Sequence, residues 1–216
     1  GMFAQGCCGN INSDRVGADF EVTRRLGVRL GAAAAVASDD AAPLEGESLR
    51  AASRTLLLPF LPPPPLSEAE AERDAARAQL EQLKAAGADE VRIRVQQGLL
   101  EWAEDQVRAA RHPEEFPGQP FEIQVLAVGE LAWVALPGEV FIELAQQIQR
   151  RSPFAKTVVL GYSNGCIGYV PTASAYPDGG YEVNRACRFY GTLMIAPESE
   201  RLIVDAAVEA LQQVAR

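Results

Sequence analysis

The chain has 216 residues, 48% of them hydrophobic and 23% charged, and a formal net charge of −9. Such a length suits one large domain or two small ones, and a domain this long buries roughly 70% of its unfolded surface, so neither disulfides nor a metal is needed merely to fold. The acidic balance excludes a nucleic-acid groove, which needs a basic footprint, and provides no polybasic handle for an anionic membrane.

Residues 2–8 read as a short buried strand, and residues 9–15 (GNINSDR) as a polar turn. The chain thus enters mid-domain sequence directly behind Gly1-Met2, a pair that looks like a tag scar and a start residue. The expectation is a domain whose N-terminal part is missing. Residues 17–37 place Phe20, Leu26, Leu30, Ala33 and Ala34 at helical spacing, with Gly27 and Gly31 marking a close packing approach. A loop over 38–46 leads to a strand over 49–60. Four prolines, 62–65, form a stiff extended spacer.

Ser67 and Glu70 then suggest a capping box for a helix that Gly87 closes, with Ala76, Leu80 and Leu83 on one stripe. A second helix over 89–111 turns Val91, Val95, Leu99, Trp102 and Val107 inward and ends at His112-Pro113. Together, residues 67–112 read as a charged helical-hairpin insertion in a single domain over 1–216, with a coiled-coil interaction arm as the rival reading. Strands over 121–128 and 131–136 meet at Gly129-Glu130 in a tight hairpin, so apolar throughout that both faces should be buried. A helix over 139–151, a strand over 156–160, a loop over 162–180 and an ambiguous stretch over 183–195 follow. The last helix starts at 197–200 and carries the stripe Ile203, Val204, Ala207, Val208, Leu211 and Val214. The class is α/β, with a mixed, partly antiparallel buried sheet flanked by helices.

No apolar run approaches the roughly 20 residues of a membrane span, and no basic-then-apolar leader is present. The compartment is left open, with the cytoplasm as default. Cys7, Cys8, Cys166 and Cys187 include no CxxC spacing, which favours free thiols over a zinc knuckle.

Three places could carry chemistry. Glu139 follows a Pro-Gly turn, either as an acid stabilised by a helix N-terminus or as an oxygen ligand or general base at the end of a sheet. Tyr162, Asn164 and Tyr169 lie on backbone loosened by Gly165 and Gly168, and Tyr181 follows Gly179-Gly180, as core aromatics or as substrate contacts. The turn over residues 9–13 (GNINS), with Asn12 and Ser13, is either structural or an oxyanion or phosphate cradle, without a P-loop pattern. His112 is the sole histidine, at a helix end where it suits the terminal carbonyls, so no triad motif or multi-histidine zinc site arises from this chain.

Taken together, these pieces resemble the neutral/alkaline, non-lysosomal ceramidases, and especially their shorter bacterial relatives. The resemblance lies in residues 3–12 (FAQGCCGNIN), in Ala135-Leu136-Pro137-Gly138-Glu139-Val140-Phe141, in Gly161-Tyr162-Ser163-Asn164 through Gly168-Tyr169-Val170-Pro171-Thr172, and in Gly180-Tyr181-Glu182. It implies the C-terminal part of a zinc-dependent amide hydrolase that splits an N-acylated sphingoid base into fatty acid and amine. The family zinc is held by two histidines, a glutamate and a tyrosine, and lowers the pKa of bound water. Glu139 and Tyr169 match two of those ligands, and Tyr181 matches a further active-site tyrosine. Where the family turn carries a serine, this chain has Asn12, with Ser13 one place later. Asn164, Gly168 and Tyr162 would contact the substrate. The histidine ligands match nothing here, so zinc should be absent or weakly held and the chain inactive alone. The rival is a non-catalytic, stand-alone relative acting as a binding or self-association module, with homo-oligomers covering exposed sheet edges.

Overall fold

The computed structural model describes residues 3–13, 19–44, 46 and 48–216. In chain order the elements are α1 (Phe20–Asp39), β1 (Leu49–Leu58), α2 (Leu66–Ala85), α3 (Glu90–Arg111), β2 (Gln119–Val128), β3 (Leu131–Ala135) and β4 (Glu139–Val140). There follow α4 (Ile142–Arg151), β5 (Lys156–Leu160), β6 (Tyr169–Val170), α5 (Tyr181–Asn184), α6 (Cys187–Tyr190) and α7 (Ser199–Ala215). The class is α/β, as the alternation of elements predicts.

Four strands pair in the order β1-β2-β3-β5. The first two junctions are antiparallel and the last is parallel. A parallel neighbour needs a crossover, and α4 supplies it between β3 and β5. Phe121, Ile123, Val125 and Ala127 of β2 and Ala132 and Val134 of β3 are buried on one face. They join one core with Leu144 and Ile148 of α4 and Ile203, Ala207 and Leu211 of α7. Each such large apolar side chain contributes roughly 1.5–3 kcal/mol on burial.

The other face is more open. The register aligns Ala51, Leu126, Trp133 and Val158 across all four strands. Leu126 and Val158 are each 40% exposed. The expectation that β2 and β3 are buried on both faces is therefore corrected. Burial along β2 alternates residue by residue, because α4 and α7 cover one side only among the described residues.

The helical hairpin α2–α3 forms where the sequence places it, with Asp89 capping α3 through the Arg92 N–H at 3.0 Å. The capping box at Ser67 does not. Pro65, at φ −49°, already leads into a helix that starts at Leu66, and it supplies no side-chain cap. Glu70 instead accepts a hydrogen bond from Arg111 across the hairpin. Val91 and Val95 point outward at the far end, because only the base of the hairpin reaches the body. There Trp102 and Ala103 form a small core with Cys187. Helix α1 buries none of its residues, and Phe20 is 96% exposed. Added Cβ atoms at Gly27 and Gly31 would meet nothing within 4 Å, so these glycines serve no close approach among the described residues. No described helix is long and apolar enough to cross a membrane.

The first segment is not a full strand. Of the expected residues 2–8, Met2 lies outside the described residues, and only Gly6 bridges β5, antiparallel to Leu160. The expected turn continues past the described residues at Asp14. Gly9 then donates its N–H to the Val140 carbonyl at 2.9 Å. An added Cβ at Gly9 would lie 2.2 Å from the Glu139 carbonyl oxygen, a backbone atom that cannot move without shifting β4. Gly9→Ala is therefore expected to destabilise the fold by about 1–3 kcal/mol, read as a lowered denaturant midpoint at an unchanged slope.

Candidate functional site

Glu139 does not open a helix. It lies on β4, three residues ahead of Ile142, where α4 begins. Its N–H is held by the Gly168 carbonyl at 2.8 Å, and β4 pairs in parallel with β6 so that Glu139 stands opposite Tyr169. The helix-N-terminus account of this acid is corrected accordingly. The helix end is capped from elsewhere. Asn10 accepts the Ile142 N–H at 3.0 Å through Oδ1 and donates to Glu143 at 2.8 Å through Nδ2. Phe141, at the capping position, has no side-chain oxygen to do this, so an asparagine distant in sequence supplies it.

Two phenols fix the Glu139 carboxylate. Tyr162 donates to Oε2 at 2.7 Å, and Tyr190 donates to Oε1. Tyr162 comes from a loop that folds back on the preceding turn, with its N–H on the Gly138 carbonyl and the Ser163 N–H on the Leu136 carbonyl, both at 3.0 Å. The backbone there is left-handed, with φ 51° at Tyr162 and φ 62° at Asn164. Left-handed geometry is rare for a tyrosine and clusters at sites where surrounding structure imposes it. Tyr190 comes from the end of α6. Its ring lies over Gly168, where an added Cβ would approach to 3.1 Å.

Tyr169 stands at the centre of an aromatic group. Its ring meets Tyr181 edge-on at 5.9 Å and Tyr190 edge-on at 6.4 Å, and Tyr181 stacks on Phe189 at 6.5 Å. Burial is the main cause that raises the Tyr162, Tyr169 and Tyr190 phenols above their ordinary range, and the Glu139 carboxylate adds to it. All three are therefore protonated donors at neutral pH. The group is open to solvent: Tyr162, Tyr181 and Tyr190 are between 40% and 47% exposed.

The sequence-predicted residues divide. Glu139, Tyr162, Tyr169 and Tyr181 share the cluster. Gly168 contributes backbone and a seat for Tyr190. Asn164 donates to Gln124 of β2 at 3.4 Å, toward the sheet. Asn12 and Ser13 are exposed, and no side-chain hydrogen bond of theirs occurs among the described residues. Tyr190 was missed by sequence reasoning, whereas Gly9 and Asn10 lie in the turn over residues 9–13 that it singled out, and act there by holding β4 and capping α4. His112 caps α3, with its N–H on the Arg108 carbonyl at 2.7 Å and Nδ1 3.4 Å from Glu114.

Zinc does not fit the residues present. The cluster offers one carboxylate and neutral phenols, the sole histidine is elsewhere, and no group of three His, Cys, Asp or Glu able to hold a metal occurs among the described residues.

No protein-family model matches the chain, and no curated protein matches it. The structure of a neutral ceramidase from Pseudomonas aeruginosa matches 98% of this chain and 37% of its own, at 20% identity and a TM-score of 0.53. A structure described as ceramidase complexed with C2 matches 43% of this chain and 14% of its own, at 21% identity and a TM-score of 0.35. The first likeness shows a ceramidase-like fold, and this chain spans 37% of that protein.

The phenols also set an alkaline limit. A phenol ionises near 10 in the unfolded chain and higher in the folded one, so between those values only the folded state keeps its proton. Stability from these groups is complete below pH 10 and is lost as pH rises through the folded values. Thermal unfolding temperatures should fall above pH 10, and fall less steeply in a Tyr162→Phe, Tyr190→Phe double variant.

Proposed function

We propose that the chain contributes the carboxylate-and-tyrosine side of a ceramidase-like amide hydrolase and is inactive alone. The observation that supports this best is Glu139, which lies on β4 paired with β6 and is held by the phenols of Tyr162 and Tyr190. Ends of strands are where α/β folds place their sites. The substrate class is a linear, lipid-like amide such as an N-acylated sphingoid base. Tyr181 stands half-exposed at the rim, with its hydroxyl bonded to no described residue, and in this reading it donates to an amide carbonyl as negative charge develops there. Tyr162 and Tyr190 orient the carboxylate, and Tyr169 lies beside it. A complete zinc site would need imidazoles, and the one histidine of this chain lies at the end of α3.

Two measurements test the reading. Elemental analysis of the purified chain should give well under one zinc per chain, and zinc held stoichiometrically would refute the incomplete ligand set. Fatty-acid release from a fluorescent short-chain ceramide should stay at background, and turnover abolished by Glu139→Ala would show that this chain needs no further ligands.

A second reading, a self-associating binding module, is favoured by the open sheet face with Leu126, Trp133 and Val158. An apolar face of this kind is ordinarily covered by another layer. A homo-oligomer formed there should dissociate on Leu126→Glu. Sedimentation equilibrium checks this, and a monomer in the unsubstituted chain would exclude it.

A further inference from the structure

The helical hairpin α2–α3 meets the body at α6, the single turn that delivers Tyr190 to Glu139. Four contacts make that junction. The Arg188 guanidinium lies over the Trp102 ring of α3, with its carbon 4.7 Å from the ring centroid. Arg188 Nη1 pairs with Glu72 of α2 at 3.0 Å. Trp102 donates its indole N–H to the Thr192 carbonyl, just past α6, at 2.9 Å. Cys187 packs into the same small core as Trp102 and Ala103.

A four-residue helix cannot hold its own geometry, because one turn has almost no internal hydrogen bonding to set against its chain entropy. Packing does not hold it alone either. A cavity of about 240 Å³ opens beside the junction, lined by Pro62, Glu72, Trp102, Cys187, Arg188 and Met194 among others. The Arg188 Nε is buried there without a hydrogen-bond partner among the described residues, a cost that the stacking on Trp102 and the pair with Glu72 offset. Arg188 is two residues from Tyr190, so the contacts that fix one fix the start of the other.

We propose that Arg188, clamped between Trp102 and Glu72, is a positioning residue that seats Tyr190 on the Glu139 carboxylate, and that the hairpin is thereby a support of the site. The proposal rests on the Glu139 cluster being the functional site. Its readout does not use turnover, so it stands or fails separately from the amide-hydrolase reading.

The test is fluorine NMR on protein labelled with 3-fluorotyrosine, which gives a signal for each of the five tyrosines. Tyr162→Phe and Tyr190→Phe assign two of them, and Glu139→Gln gives the position of the Tyr190 signal without its carboxylate partner. In Arg188→Met the Tyr190 signal should move toward that position, while the Tyr162 signal, from the other carboxylate oxygen, stays in place. Glu72→Gln removes only the half-exposed ion pair and should move Tyr190 the same way by less, which keeps the test alive if Arg188→Met does not fold. A Tyr190 signal unmoved in the folded variants overturns the proposal. Equal movement of Tyr162 and Tyr190 also overturns it, because that marks a general loosening.

Discussion

The Glu139 carboxylate, bonded by one phenol on each oxygen, is the constraint around which the rest is arranged. Its two donors arrive from two separate stretches that both follow it in the chain. Tyr162 follows β5, from a loop whose left-handed backbone is held by hydrogen bonds to the turn before Glu139. Tyr190 arrives from α6, beyond β6 and α5. The acid itself is fixed from below by Gly168 and from the side by Gly9, whose approach leaves no room for a side chain. Two stretches therefore hold the carboxyl group of Glu139 and two more hold its backbone. A core built only for stability would gain little from this, because a hydrogen bond to a charged group contributes about 1.5–3 kcal/mol and a half-exposed one less. The gain is in direction: a carboxylate with a set orientation, ringed by protonated phenols.

The strands and hairpins were legible because their signals are local. Gly129-Glu130 turns β2 into β3 within two residues, and Gly87 and His112-Pro113 punctuate α2 and α3. The pairing of Glu139 with Tyr169 was legible through the family resemblance, and the register of β4 on β6 puts the two side by side. What escaped was every contact set by distant sequence. Asn10 caps α4 from 132 positions away, and no pattern around Phe141 announces it. Tyr190 sits in a one-turn helix too short for periodicity to register. The start of α4 was read three residues early because Pro137-Gly138 looks like a helix entry. In the fold, that turn instead frees the Glu139 N–H for the Gly168 carbonyl. The capping box fails by competition of the same kind, with Pro65 in the capping position two residues ahead of Ser67.

Burial was misread where composition stood in for neighbours. Apolar residues at nearly every position of β2 suggested two covered faces, yet Leu126 and Val158 are open. In α1 a helical stripe exists with nothing packed on it among the described residues. Apolar content records what a segment is able to bury, and only the presence of a second layer decides what it does bury.

The carboxylate's own valence decides how its phenols and a cation could coexist. Each carboxylate oxygen has two lone pairs, and one phenol uses one of them. Tyr162 and Tyr190 therefore leave a free lone pair on both Oε1 and Oε2, and they fix the plane in which those lone pairs point. Partners of this kind ordinarily orient a metal-binding carboxylate rather than block it. Steric occupation of Glu139 is thus not what makes zinc a poor fit here. The deficit is in number and kind: a chain with one histidine, and that one at the end of α3, has no imidazole to bring to the same point.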